Sequence, residues 1–225
     1  MISVTELLSD RSIRGNFFAP EVYVQGDFES GLIENRNGAR LLALPEVLLK
    51  GIFAALENEL GSSASVVLFK WGFRWGKNFY RRFAEEVSEY YGISLSQMEM
   101  VQFLQCLKQC WKTYGWGLLD LDASYYPQGF LVFQIQHSAF AYTAPKNKQR
   151  MGYAEAGILS AFCSQLSGRN LHCIQTQCES MGAGANTFVV GLSERLKPVA
   201  ALLEEGHDHT TVMERLCHQS VTPKE

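Results

Sequence analysis

Several things that would assign an activity are absent from this 225-residue sequence. No Gly-x-Ser-x-Gly, Cys-x-x-Cys, phosphate-loop or Gly-x-Gly-x-x-Gly pattern occurs at a strand-to-helix turn. That excludes the usual nucleophile elbow, a dithiol redox centre and the common nucleotide cradles. Charge of one sign is also scarce. Twenty Lys and Arg stand against 23 Asp and Glu, a formal net charge of −3, so no electrostatic footprint for nucleic acid exists. The basic groupings between 70 and 82 and between 146 and 150 are sparse and read as a solvated helix face and a solvated loop. No apolar run approaches the roughly 20 residues that cross a bilayer. The opening MISVTELLSDRSIRG carries Glu6 and Asp10 and no long apolar core, unlike a signal peptide. Six cysteines, at 106, 110, 163, 173, 178 and 217, are too thinly spread for a disulfide scaffold. The expectation is a cytoplasmic protein with reduced thiols.

What is present is material for a core: 47% hydrophobic residues and 19% charged ones, a composition for one domain with attachments. Residues 1–37 read as an irregular arm punctuated by Gly15, Pro20, Gly26, Gly31 and the ENRNG turn, with one short helical candidate at Val4 to Ser9. Helical spacing then predicts a helix from Pro45 to Leu60, with Leu48, Leu49, Ile52, Phe53 and Leu56 facing the core. A longer helix follows, ending at Gly92, with Val66, Phe69, Phe73, Phe83 and Val87 as its apolar face. Gly72 and Gly76 lie one turn apart on it. Each costs about 1 kcal/mol relative to alanine, so the pair needs a packing or a ligand reason. A third helix ends at Gly115, with Cys106 and Cys110 on one face as buried small hydrophobes.

Alternation then takes over. WGLLDLDASYY and GFLVFQIQHSAF read as a hairpin around Pro127-Gln128-Gly129, with Leu131, Phe133 and Ile135 on one face. A fourth helix ends at Gly168 and feeds two strands joined by the MGAGA turn. Terminal helices and a polar tail close the chain. Helices, hairpin, helix, hairpin is the order of an α+β fold: an antiparallel sheet with helices packed mainly on one side.

Three sets of residues are candidates for function. His207, His209, Cys217 and His218 could be grouped as metal ligands, but they flank a polar terminal segment without a matching partner pair. His137 sits on a strand, where a hydrogen-bonded structural role is the ordinary one. The aromatic set says more. Trp71, Phe73, Trp75, Phe79 and Tyr80 crowd one helix, with Tyr114 and Trp116 after the next. Such a set makes either a large core or the wall of a cavity for a flat apolar molecule.

GARLLALP, LFKWGFRWG with its two glycines, YGWG at 114–117, GYAEAGILSAF at 152–162, and Cys178-x-x-x-Gly182 followed by NTFVV occur in that order over residues 38–191. This succession resembles the V4R (4-vinyl reductase) domain family, relatives of the Bet3-type subunits of vesicle-tethering complexes. The stand-alone form looks most like members found in cyanobacteria. The resemblance implies an arm over 1–37, a ligand-binding domain over 38–192 and a helical tail over 193–225. It also implies an α/β sandwich, a homodimer through the first long helices, and a hydrophobic small molecule as ligand.

For this chain the expected ligand is a tetrapyrrole, a chlorophyll precursor or bilin, in photosynthetic pigment metabolism or photosystem assembly, with possible peripheral placement at the thylakoid membrane. The expected ligand-binding residues are Trp71, Gly72, Phe73, Trp75, Gly76, Tyr114, Trp116, Phe133 and His137. They would form a pocket between the Trp71–Tyr80 helix face and the strand from Phe130 to His137. A Bet3-like scaffold holding an acyl chain, or a structurally filled pocket, is the alternative. A vinyl reductase or lyase would need a borrowed cofactor, since no nicotinamide or flavin fingerprint is present. No catalytic residue is expected.

In phenol-sensing members of the family a hairpin holds zinc through cysteines and a glutamate. Laid on this chain, those positions hold Asn147, Gln175, Cys178 and Asn186. Three uncharged amides and one thiol do not make a zinc site. The expectation is therefore a degenerate hairpin without zinc, in which the amides form a hydrogen-bonded cluster around Cys178.

Overall fold

The computed structural model describes residues 15–27, 29–140 and 150–218. The helical candidate at Val4 to Ser9 and Asn147 lie outside the described residues. In chain order the elements are α1 (Pro20–Tyr23), β1 (Val24–Asp27), β2 (Leu32–Asn35), β3 (Arg40–Leu41), α2 (Glu46–Leu60), α3 (Ala64–Tyr91) and α4 (Met100–Thr113). They continue with β4 (Leu118–Asp122), β5 (Leu131–Gln136), α5 (Tyr153–Ser167), β6 (Leu171–Gln177), β7 (Asn186–Leu192), α6 (Ser193–Leu196), α7 (Val199–Glu204) and α8 (His209–His218). The fold is α+β with antiparallel sheets, and the chain divides into two compact units. One holds residues up to Ala43 together with Phe83–Tyr114, the other Leu44–Arg82 together with everything from Gly115.

In the first unit the segment expected as an irregular arm contains a small antiparallel sheet in the order β1-β2-β3. Its strands are two to four residues long, too short for alternation to register in the sequence. Aromatic packing holds the unit. Phe18 stacks on Phe83 at 5.4 Å, Phe17 and Tyr23 pack against Phe18, and Trp111 is buried in the same unit. Buried Asn35 is the polar hinge. Its side-chain oxygen accepts from the backbone N–H of Asn37 and Ala39, and its amide nitrogen donates to Glu86. Cys106 and Cys110 are fully buried, as small hydrophobes are.

The second unit is built on a four-stranded antiparallel sheet in the order β4-β5-β7-β6. Its register places Phe133 opposite Phe188, which pairs with Gln175 on its other side, and Ile135 opposite Asn186. Helix α5 lies over this face, with Gly152, the residue just before it, against Phe188 and Gln175. The opposite face presents Val132 and Val189 to Leu196, Val199, Met213 and Leu216 of α6, α7 and α8. The C-terminal helices therefore complete the core of this unit, giving the sheet a cover on its second face. Every residue from Ala154 to Cys163 is buried, the signature of a helix apolar all round.

Helix α2 departs from expectation. Only Phe53 is buried; Leu48 and Ile52, expected in the core, are each 46% exposed, and Val47 is 72% exposed. Val66 and Val67 near the start of α3 are exposed as well. By length and composition the helical stretch Glu46–Tyr91 is apolar enough to cross a membrane. A search for one unbroken apolar run misses it, because Gly61 and the cations of α3 interrupt it.

Candidate functional site

Helical periodicity puts Trp71, Trp75 and Phe79 on one face of α3, one turn apart each. Their rings form a ladder: Trp71 on Trp75 at 6.1 Å and 8° between planes, Trp75 on Phe79 at 5.9 Å and 23°. Trp116 meets this ladder edge-on, 4.7 Å from Trp75 and 5.2 Å from Phe79. Phe162 of α5 closes the inner end against Phe79 at 5.4 Å, and Phe140 stands beside Trp116 at 6.2 Å. Burial is graded along the ladder. Phe79 is buried, Trp75 half-buried, and Trp71 45% exposed. The arrangement is a set of flat apolar walls with a wet end, the form of surface that flat ring systems stack on.

The glycines do something else. A Cβ on Gly72 would stand 2.0 Å from the Ala154 carbonyl oxygen, and one on Gly76 would stand 2.7 Å from that of Ile158. From the other side, a Cβ on Gly157 of α5 would stand 2.2 Å from the Phe69 carbonyl oxygen. Three glycines thus let two helix backbones touch. The clearance expected for a ligand at Gly72 and Gly76 is occupied by α5, which corrects that part of the pocket. Phe73 leaves the ladder as well. It stacks with Phe69 at 6.3 Å, on the side of α3 where Phe69 meets His172. There a cleft of about 440 Å³ opens, lined by Val66, Phe69, Tyr153, His172, Ile174 and Leu203 among others. Tyr114 belongs to the first unit, where its hydroxyl lies 2.6 Å from that of Tyr23 and burial pushes its phenol up. Phe133 is buried within the sheet. His137 is exposed at the end of β5 with φ 55°, a left-handed conformation uncommon outside glycine. Among the sequence-selected residues, Trp71, Trp75 and Trp116 are the ones brought together.

Beside the ladder lies a polar cluster. Gln175 donates from Nε2 to the Asn186 side-chain oxygen at 3.0 Å and accepts from the Gly152 backbone N–H at 2.8 Å. The Asn186 amide nitrogen donates to Glu179 at 2.6 Å and to the Ile135 carbonyl at 3.3 Å. The expected amide cluster exists between Gln175 and Asn186, but its hub is Glu179 and not Cys178. Glu179 accepts from the backbone N–H groups of His137 and Ser138 and thereby pins the unusual turn. Buried Cys178 pairs instead with the Ser180 hydroxyl at 3.0 Å. Among the described residues no three His, Cys, Asp or Glu side chains gather as a metal-binding group. The donor set at the hairpin, two amides already bonded to each other and one thiol, does not fit zinc.

Glu155 escaped the sequence reading. It lies wholly inside α5, accepting from the Ser138 hydroxyl at 2.8 Å. Burial pushes its carboxyl up from 4.5 to about 8, with Glu179 adding to the rise. An acid whose pKa is raised in the folded state binds protons there that the unfolded chain has released. Its contribution to stability is complete below about pH 4.5 and is lost as pH rises to about 8. Glu155→Gln should therefore flatten the fall in melting temperature across that window. An unchanged slope would mean another group sets it.

The V4R domain family is matched over residues 131–192. No curated protein matches the chain in sequence. Among solved structures, it is similar to the phenol-responsive sensory domain of the transcription activator PoxR with phenol. That likeness has a TM-score of 0.64 at 14% identity, over 87% of this chain and 97% of that one. It is also similar to a trafficking protein particle complex subunit 3 from Naegleria fowleri covalently bound to palmitic acid. Here the TM-score is 0.50 at 15% identity, over 66% and 95% of the two chains. A vinyl-4-reductase family protein from Methanocaldococcus jannaschii matches with a TM-score of 0.45 at 15% identity, over 67% and 82%. The V4R family model thus covers the stretch from the strand that begins at Leu131 to the end of β7.

Proposed function

We propose that the protein binds a flat hydrophobic small molecule against the Trp71–Trp75–Phe79 ladder and Trp116, without chemistry of its own. The observation that carries this reading is the graded ladder, three rings in register whose outermost member is exposed. A pure core would bury its tryptophans, because each removes a large apolar area from water. Two proteins of the same fold hold small hydrophobic molecules, phenol in one and palmitic acid in the other, which agrees with a binding module.

The finer reading is a tetrapyrrole, a chlorophyll precursor or bilin, delivered in pigment metabolism or photosystem assembly. Its support is the length of the stacked aromatic surface. Titration of the full chain with biliverdin tests it. Binding should quench tryptophan fluorescence and shift the pigment's visible band. Trp75→Ala combined with Trp116→Ala should weaken binding at least about tenfold, since stacking contributes about 1 kcal/mol per ring pair. Unchanged affinity in the double variant would remove the ladder from the site.

The exposed apolar face of α2 and α3 supports a second element, self-association. Val47, Leu48 and Ile52 on α2, with Val66 and Val67 on α3, are exposed apolar side chains of the kind that subunit interfaces cover. We expect a homodimer by light scattering at micromolar concentration and a monomer for Ile52→Glu. A wild-type monomer would leave the face for another partner, the scaffold role of the alternative reading.

A further inference from the structure

Glu155 is the one described carboxyl that is fully buried and has a lone oxygen. Oε1 accepts from Ser138 Oγ at 2.8 Å, while Oε2 has no hydrogen-bond partner. A buried polar atom left unpaired costs about 1–3 kcal/mol, so a native structure keeps one for a reason. Its place suggests the reason. Glu155 and Phe162 are seven residues apart on α5 and therefore share a face. Phe162 is the inner wall of the aromatic ladder. The same end is reached through the Ser138 hydroxyl, which accepts from the Phe140 N–H, and the Phe140 ring stands beside Trp116.

We propose that Glu155 is the polar anchor of the aromatic pocket, its Oε2 meeting a hydrogen-bond acceptor on the edge of a flat ring ligand. The acceptor is of the ring-carbonyl, lactam or pyridine-type nitrogen class. The inference rests on the pocket reading above and adds what selects the ligand. The proton assignment follows from the bonds. Ser138 Oγ, which accepts from Phe140 N, donates its hydrogen to Glu155 Oε1. Oε1 is then an acceptor, and the carboxyl proton sits on Oε2. The acid keeps that proton near neutral pH because burial, with Glu179 nearby, holds its pKa near 8. Cys173, the other titratable group coupled to it, is held well above the usual thiol range and stays neutral. A neutral O–H in an apolar site rejects ligands that cannot receive it, because binding them leaves the donor unpaired.

Two probes of equal shape test this: fluorene, a flat apolar tricycle, and 9-fluorenone, the same tricycle with a ring carbonyl. Equilibrium dialysis of the full chain should give tighter binding of fluorenone by about tenfold, the size of one buried hydrogen bond. Glu155→Leu should abolish the preference by weakening fluorenone alone, and Glu155→Gln, which keeps an N–H donor, should retain part of it. Equal binding of the two probes by the wild-type protein overturns the anchor and leaves the pocket standing. So does a preference that survives in Glu155→Leu. If that variant does not fold, the wild-type ratio and Glu155→Gln decide: a preference retained in Gln, in part or in full, supports the donor role, and its complete loss contradicts it. Failure of both probes to bind the wild type overturns the pocket itself, and the anchor with it.

Discussion

Gly72→Ala is expected to be among the most damaging single-methyl additions in the protein. The added carbon would stand 2.0 Å from the Ala154 carbonyl oxygen and 2.8 Å from its carbonyl carbon. Both are backbone atoms of α5, so no side chain can swing away. The helices must separate, and the cost of such overpacking is about 3 kcal/mol or more. For a protein of this size that lowers the melting temperature by roughly 6–12 °C. Gly51→Ala is the internal control. It lies within α2 with nothing within 4 Å of the added carbon, and helix propensity predicts a gain of about 1 kcal/mol. Thermal melts followed by circular dichroism should therefore move in opposite directions. If Gly72→Ala melts like the wild type, the close crossing of α3 and α5 is wrong.

Asn186→Ala should cost about as much for a different reason. Asn186 is fully buried and serves four partners: the Gln175 amide, the Glu179 backbone N–H, the Glu179 carboxylate and the Ile135 carbonyl. Truncation strips bonds from several groups at once. The charged bond to Glu179 alone is worth about 1.5–3 kcal/mol, and the sum should approach about 3 kcal/mol once the network relaxes. The loss should be the same with and without a chelator, because the Gln175 and Asn186 side-chain amides hydrogen-bond each other across the two strands. Elemental analysis of chelator-treated, refolded protein should find no stoichiometric zinc. One zinc per chain would mean that the hairpin has ligands beyond Gln175, Cys178 and Asn186.

How much of this was legible depended on the signal each element leaves. Strands β5 and β7 alternate or run apolar over six or seven residues, and α5 ends at Gly168 in a left-handed conformation, so both hairpins and the helix between them could be read directly. The two-to-four-residue strands of the first unit leave no period. The Gly72 and Gly76 pair declared a close approach but not its partner. That information lay in Gly157, more than eighty residues further along the chain, and only the fold brings it to Phe69 and Gly72. Glu155 reads as an ordinary acid in a helix's first turn, where the helix dipole favours it. The signal against that reading was the segment around it, AEAGILSAF, apolar on every side, which marks a helix with no wet face. Glu179 leaves no signal in the sequence, because a lone acid beside a cysteine at a turn reads as a solvated charge. Helix α2 failed in the other direction: a helical apolar pattern specifies which residues want cover, not that the same chain supplies it.

Whether the tryptophan ladder holds a flat hydrophobic ligand is decided by the absorption spectrum of the protein isolated from its native host. A bound pigment with visible absorption, near one per chain, is expected, and it should be absent when Trp75 and Trp116 are both replaced by alanine. Colourless protein carrying a fatty acyl chain, or pigment unaffected by the double replacement, would contradict it.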